Sequence, residues 1–220
     1  MPHRLEVVSR FRETRAEIRL HKFHSLGFVD IENVFIADIY SLSVSLSPSL
    51  LQTISNSLFN PVSQLCFIDE PFQPNFFQWA IQIGFLPGVT DNIGNTAREI
   101  ILDLINSAVS SPQSETITSP PLETLYLKSQ ISNPAEFSVH SSQIILLDGG
   151  YPMGAIQKLA DQISNPLIHR VHIKNRTSYR NTKGMGIHIP KVELKPHPQA
   201  DVVNLNVNDS ELLKIGKFGI

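Results

Sequence analysis

Phe77-Gln78-Trp79-Ala80-Ile81-Gln82-Ile83-Gly84-Phe85 sets a large apolar residue at every second position, alternating with Gln78, Ala80, Gln82 and Gly84. Side chains leave a strand on opposite faces in turn, so this spacing predicts a strand with one strongly apolar face. Leu86-Pro87-Gly88-Val89-Thr90-Asp91-Asn92 reads as a turn, and a helix follows with Ile93, Ala97, Ile100, Leu104 and Ala108 on one side. A half-apolar strand beside a long amphipathic helix predicts an α+β fold in which helices cover a sheet.

Downstream, residues 110–121 form a Ser/Pro/Thr-rich loop, and Leu122 to Lys128 and Gln143 to Leu147 read as strand pieces around a second loop near Ser132 to Ser142. Met153, Ile156, Leu159, Ala160 and Ile163 make a helical stripe that stops at Asn165-Pro166, before a closing strand from Leu167 to Ile173. Upstream, the same order is legible. Leu5 to Ser9 is β-prone, and Thr14 with Glu17 forms a capping-box pattern opening a helix that Gly27 is placed to end. A long strand is expected from about Asn33 to Leu46, with Leu42, Val44 and Leu46 alternating against serines. Ser47-Pro48 starts a helix carrying Leu51, Ile54 and Leu58, Asn60-Pro61 stops it, and Val62 to Ile68 is a strand. The order β-α-β-α-β thus occurs twice, and the helix-Asn-Pro-strand joint with it. Two small halves of this kind leave apolar surface unless each covers the other, so they are expected to pack through their sheets about a pseudo-two-fold axis. The expected divisions are residues 1–74, 75–175 and 176–220, the last a basic linker running into a truncated β/α tail.

A net charge of −2 gives no field to gather nucleic acid or an anionic membrane. The start has no apolar h-region, and no stretch reaches the ~18–20 apolar residues of a membrane span, so a cytoplasmic protein is expected. Cys66, the single cysteine, lies in the apolar run Leu65-Cys66-Phe67-Ile68 and reads as a core residue in a reducing compartment.

The run Ile83-Gly84-Phe85-Leu86-Pro87-Gly88-Val89-Thr90-Asp91-Asn92-Ile93-Gly94-Asn95-Thr96-Ala97 resembles the turn and helix start of PurS-like repeats in fused phosphoribosylformylglycinamidine synthases. The Asn-Pro joint agrees. The tail from Ile189 through Asn204-Leu205-Asn206-Val207 and Glu211 to Gly216 resembles the stretch leading such enzymes into their synthetase part. The resemblance implies two tandem PurS-like, ferredoxin-like repeats forming a pseudo-dimer. It also implies a non-catalytic role in de novo purine biosynthesis, bridging glutaminase and synthetase for ammonia transfer within an ATP- and glutamine-dependent carbon–nitrogen ligase. The partners implied are the synthetase domain and the glutaminase domain or subunit, with self-association a further expectation. ATP and magnesium would belong to the full enzyme, not to these residues. A stand-alone small-molecule-binding regulatory module is the alternative, by analogy of fold.

No residue pattern argues for chemistry of its own. Gly88 and Gly94 lack the spacing and lysine of a phosphate-binding loop, and Gly149-Gly150 reads as a turn. The eight histidines lack partners at zinc-like spacing, and no serine sits in a nucleophile elbow. Two groups remain as contact candidates. Pro87, Gly88, Thr90, Asp91 and Asn92 form either a partner-contacting turn or a helix N-terminus capped by Asp91 or Asn92. Arg176, Arg180 and Lys183, in a basic stretch from Arg170 to Lys195, form either a docking surface for an acidic face or a phosphate, or a solvated linker.

Overall fold

The computed structural model describes residues 1–110, 136–191, 207–210 and 212–213. Met1–Pro190 is one compact unit and Lys191–Ile220 a second, in which residues 209–210 and 212–213 are helical. The expected strand at Leu122 to Lys128 and the loop at 111–121 lie outside the described residues.

The first unit is α+β. It runs β1 (His3–Ser9), α1 (Thr14–Ser25), β2 (Val34–Leu42), α2 (Pro48–Leu58), β3 (Gln64–Ile68), β4 (Trp79–Phe85), α3 (Asn92–Ser110), β5 (Val139–Leu147), α4 (Met153–Ile163), β6 (His169–Asn175) and α5 (Arg176–Asn181). The local signals explain most boundaries. Ser47 Oγ accepts from Leu50 N at 3.3 Å ahead of Pro48, and Gly27, at φ +91°, ends α1 in the conformation that glycine adopts without a Cβ clash. The Thr14–Glu17 capping box does not form. Thr14 is already helical, Glu13 is the N-cap with no side-chain capping bond, and Glu17 instead pairs with Arg12. Val44 and Leu46 lie beyond β2, and Val62 is exposed before β3.

All six strands form one antiparallel sheet in the order β3-β1-β2-β5-β4-β6. This order reads the same from either end when β1, β2 and β3 are exchanged for β4, β5 and β6. The two halves therefore join edge to edge through β2 and β5, whose ladder pairs Val34 with Leu147 and Leu42 with Val139. This pairing gives each of these strands a hydrogen-bonded neighbour on the side that would otherwise be an open edge.

Helices α1 to α4 share one face of the sheet in two apolar clusters. In one, Leu50, Leu51 and Ile54 of α2 meet Ala97, Ile101 and Ile105 of α3 over Leu5 and Leu42. In the other, Phe23 of α1 meets Ile156, Leu159 and Ala160 of α4 over Ile81, Ile145 and Leu147. The first helix of each half thus packs with the second helix of the other, so neither half has a complete core of its own. The buried stripe of α3 is Ala97, Ile101 and Ile105, rotated from the expected one, with Ile93 60% and Ile100 38% exposed. The rotation follows from Asp91, described below, which pins the start of the helix to β5.

The opposite face is covered by irregular chain. Tyr179 of α5 and Phe77 are buried there against Val8, Ala37, Ile39, Ile144 and Leu146, with Phe72 and Met185 beside them. Phe77 precedes β4 and lies on this face, whereas Trp79, Ile81 and Ile83 of β4 face the helices. Residues 176–190, expected as the opening of a linker, belong to the compact unit. Arg4 and Glu6 of β1 lie buried beneath them, ion-paired at 3.1 Å. Arg4 Nη1 donates to Gly186 O at 3.1 Å and Nη2 to Lys183 O at 3.3 Å, while Phe72 N donates to Glu6 at 2.7 Å. Gly184, at φ +92°, makes this approach feasible, because a Cβ there would stand 2.8 Å from Pro71 and 2.9 Å from the Arg4 guanidinium.

Candidate functional site

The turn after β4 is held by one carboxylate. Asp91, nearly buried, accepts Gly94 N at 2.8 Å and Ser141 Oγ at 2.7 Å on Oδ1, and Ser141 N on Oδ2. Its backbone carbonyl takes Asn95 N at 2.9 Å. Asp91 is therefore the cap of α3 and also a clamp onto β5. The carboxylate complements the partial positive charge of the helix start. Gly94 is required here because a Cβ would fall 2.5 Å from Val139 O and 2.6 Å from Asp91 Oδ2.

Pro87, Gly88 and Asp91 line a small cleft of about 70 Å³ with residues from three other parts of the chain: His140 on β5, Arg170 on β6 and His188 beyond α5. Thr90 and Asn92 are exposed, and Asn92 borders a separate hollow with Tyr40, Leu58, Ile93 and Ile100. Arg176, Arg180 and Lys183 do not line the cleft. Arg176 donates to Asn75 O at 3.0 Å and stacks 5.6 Å over the Phe77 ring, so it fastens α5 to the chain before β4. Arg180 is exposed, and Lys183, at φ +50°, offers its carbonyl to Arg4.

Arg170 was legible only as one member of a basic stretch. Its register shows why it matters: it pairs across the ladder with Gly84, whose missing side chain leaves room for the guanidinium. A Cβ at Gly84 would lie 3.1 Å from Arg170 Nη2. Arg170 Nε and Nη1 are out of reach of solvent and have no hydrogen-bond partner among the described residues. Around it stand His140, His172 and His188, the last two with ring centroids 5.9 Å apart. Burial holds all three imidazoles below their ordinary pKa, and the Arg170 charge pushes each further down. Asp91 opposes the shift at His140, while Lys174 adds to it at His172. Among the described residues, no group of His, Cys, Asp and Glu is arranged to hold a metal ion. Burial pushes the Cys66 thiol up to about 11, with Glu6 adding to the shift, which keeps it an unreactive packing residue.

A second cleft, of about 310 Å³, opens on the helical face where the halves meet. It is lined among others by Arg15, Asp38, Tyr40, Ile83, Phe85 and Gln143. Arg15 donates to both oxygens of Asp38, at 3.0 and 2.7 Å.

No helix among the described residues is long and apolar enough to cross a membrane. Comparison of the chain with known protein families and with curated proteins finds no match.

Proposed function

We propose that the chain is a non-catalytic assembly module of the PurS-like kind, a pseudo-dimer of two tandem repeats that holds a glutaminase against a phosphoribosylformylglycinamidine synthetase. The observation that carries this reading is the palindromic strand order closed at the β2–β5 ladder. In a dimeric module each protomer offers one strand edge to its partner. Here one chain supplies both edges, and the first helix of each half packs with the second helix of the other, so the two halves make one platform. The resemblance of residues 83–97 to the PurS-like turn supports the family reading, and with it the expectation that ATP and magnesium serve the synthetase rather than this module.

The experiment is sedimentation of the 220-residue chain mixed with a separately purified glutaminase and synthetase of that reaction. A ternary species that does not form when the chain is left out is expected. A chain that sediments alone in the presence of both overturns the reading. The cleft at the junction, where a charged pair meets apolar residues, favours a small-molecule-binding regulatory module as the second reading.

A further inference from the structure

We propose that the cleft between the Pro87–Asp91 turn and β6 binds a phosphate group, held by Arg170, His140 and His188. This inference is independent of the assembly reading. It begins with an imbalance of charge. An arginine remains protonated in proteins, and Arg170 lines this cleft with no carboxylate ion-paired to it among the described residues, an arrangement that a bound anion would complete. The carboxylate nearest the cleft does not complete it. Asp91 lines the same space, but its two oxygens take Gly94 N, Ser141 N and Ser141 Oγ, and no described ion pair joins it to Arg170.

The shape favours a compact oxyanion. A cavity needs about 10–15 Å³ for one water, and the cleft offers about 70 Å³, room for a group of a few heavy atoms. Donors approach from three separate elements: Arg170 from β6, His140 from β5 and His188 from the segment after α5. A tetrahedral group with three free oxygens suits donors on several sides, and a guanidinium supplies charge-assisted N–H donors to it. A carboxylate presents two oxygens in one plane and leaves one side unfilled.

The surrounding groups set the pH dependence. Facing the cleft or its cations are Asp91 from the turn, His140 from β5, Arg170, His172 and Lys174 from β6, and His188 from the closing segment. Arg4 of β1 acts on Lys174. A bound dianion offsets the Arg170 charge that adds to burial in holding the imidazoles neutral, so binding takes up protons on the histidines and the affinity for the dianion tightens as pH falls.

The test is a titration of the 220-residue chain with inorganic phosphate at constant ionic strength, at about pH 6 and about pH 8, followed through the imidazole ring protons. Saturable shifts of a subset of histidines are expected, with the affinity for the dianion, after allowance for the phosphate's own titration in this range, tighter at the lower pH. Arg170→Gln should weaken binding at least about tenfold, and His188→Gln, an exposed position that does not threaten the fold, should weaken it and flatten its pH dependence. Lys158→Gln, on the outer side of α4, should bind as the wild type does. Shifts that do not saturate, that persist unchanged in His188→Gln, or that acetate reproduces at equal concentration would each overturn the phosphate assignment.

Discussion

Asp38 and Gln143 face each other at the centre of the β2–β5 ladder, with Gln143 Nε2 donating to Asp38 Oδ1 at 3.3 Å. They are also counterparts. The strand, helix and strand from Val34 to Ile68 recur 105 residues later, Pro48 answering to Met153 and Asn60-Pro61 to Asn165-Pro166. The same spacing carries Asp38 onto Gln143, so the axis relating the halves passes between these two residues. Asp38 is partly exposed and also holds the Arg15 guanidinium, whose pKa it raises through its hydrogen bonds and charge. We predict that Asp38→Asn costs about 1 kcal/mol at most, since such pairs are screened by water, and that the loss shrinks in high salt. Urea denaturation at two salt concentrations measures it.

Gly94 and Gly154 both lie in helices, and the structure gives opposite signs for replacing them. At Gly154 nothing lies within 4 Å of an added Cβ. Gly154→Ala should therefore be neutral or stabilising by up to about 1 kcal/mol from helix propensity. At Gly94 the methyl would meet the Val139 carbonyl and the Asp91 carboxylate. The propensity gain is outweighed by overpacking and by displacement of the cap, so Gly94→Ala should cost about 2 kcal/mol net. Paired urea denaturation curves separate the two.

Tyr179 is fully buried, its hydroxyl donates to Phe72 O at 3.0 Å, and its ring meets Phe77 edge-on at 5.4 Å. Removing it uncovers Val8, Ile39 and Leu146 on the second face of the sheet. A chain ending at Asn175 should lose cooperative unfolding or aggregate, while one ending at Pro190 should keep a cooperative transition. Tyr179→Phe, which keeps the ring and loses one buried hydrogen bond, should cost about 1 kcal/mol. Equal behaviour of the two shortened chains would contradict the packing described.

The pH dependence of stability carries opposing contributions. His140, His172 and His188 have depressed pKa values in the fold, so their contribution is fully present above the ordinary value of 6.5 and is lost as pH falls. Glu6 is shifted the other way. Burial raises its pKa against the opposing pulls of Arg4 and Phe72 N–H, and its contribution is present below 4.5 and lost as pH rises. The histidine share is isolated by comparison. Between about pH 7 and about pH 5 the wild-type chain should lose more thermal stability than the His140→Gln/His188→Gln variant. Parallel losses would show that these imidazoles carry no linkage.

The sheet was legible where one face alone is apolar. The alternation at Trp79, Ile81 and Ile83 located β4, and the recurring Asn-Pro joint located both closing strands, because these signals are local. What failed to show in the sequence depends on contacts between distant residues. Arg4 and Glu6 alternate with Leu5 and Val7 as a solvated face would, yet the chain returns some 180 residues later to bury them, as the Arg4–Gly186 bond records. The turn at Pro87–Asn92 was recognisable as a cap, and Asp91 bears that out. That it shares a cleft with Arg170 follows from the β4–β6 register, in which Gly84 and Arg170 are partners. Arg176 read as part of either a docking surface or a solvated linker, and its place over the Phe77 ring at the start of α5 depends on a contact the local sequence does not carry.

The central proposal, that this chain couples ammonia release to its use, is tested most directly by the rate of formylglycinamidine ribonucleotide synthesis from separate glutaminase and synthetase chains, with and without the 220-residue chain. Glutamine and added ammonium salt serve in turn as nitrogen source. The account predicts that adding the chain raises the glutamine-driven rate and leaves the ammonium-driven rate unchanged, because free ammonia needs no bridge. Rates that rise together, or a glutamine-driven rate indifferent to the chain, would contradict it.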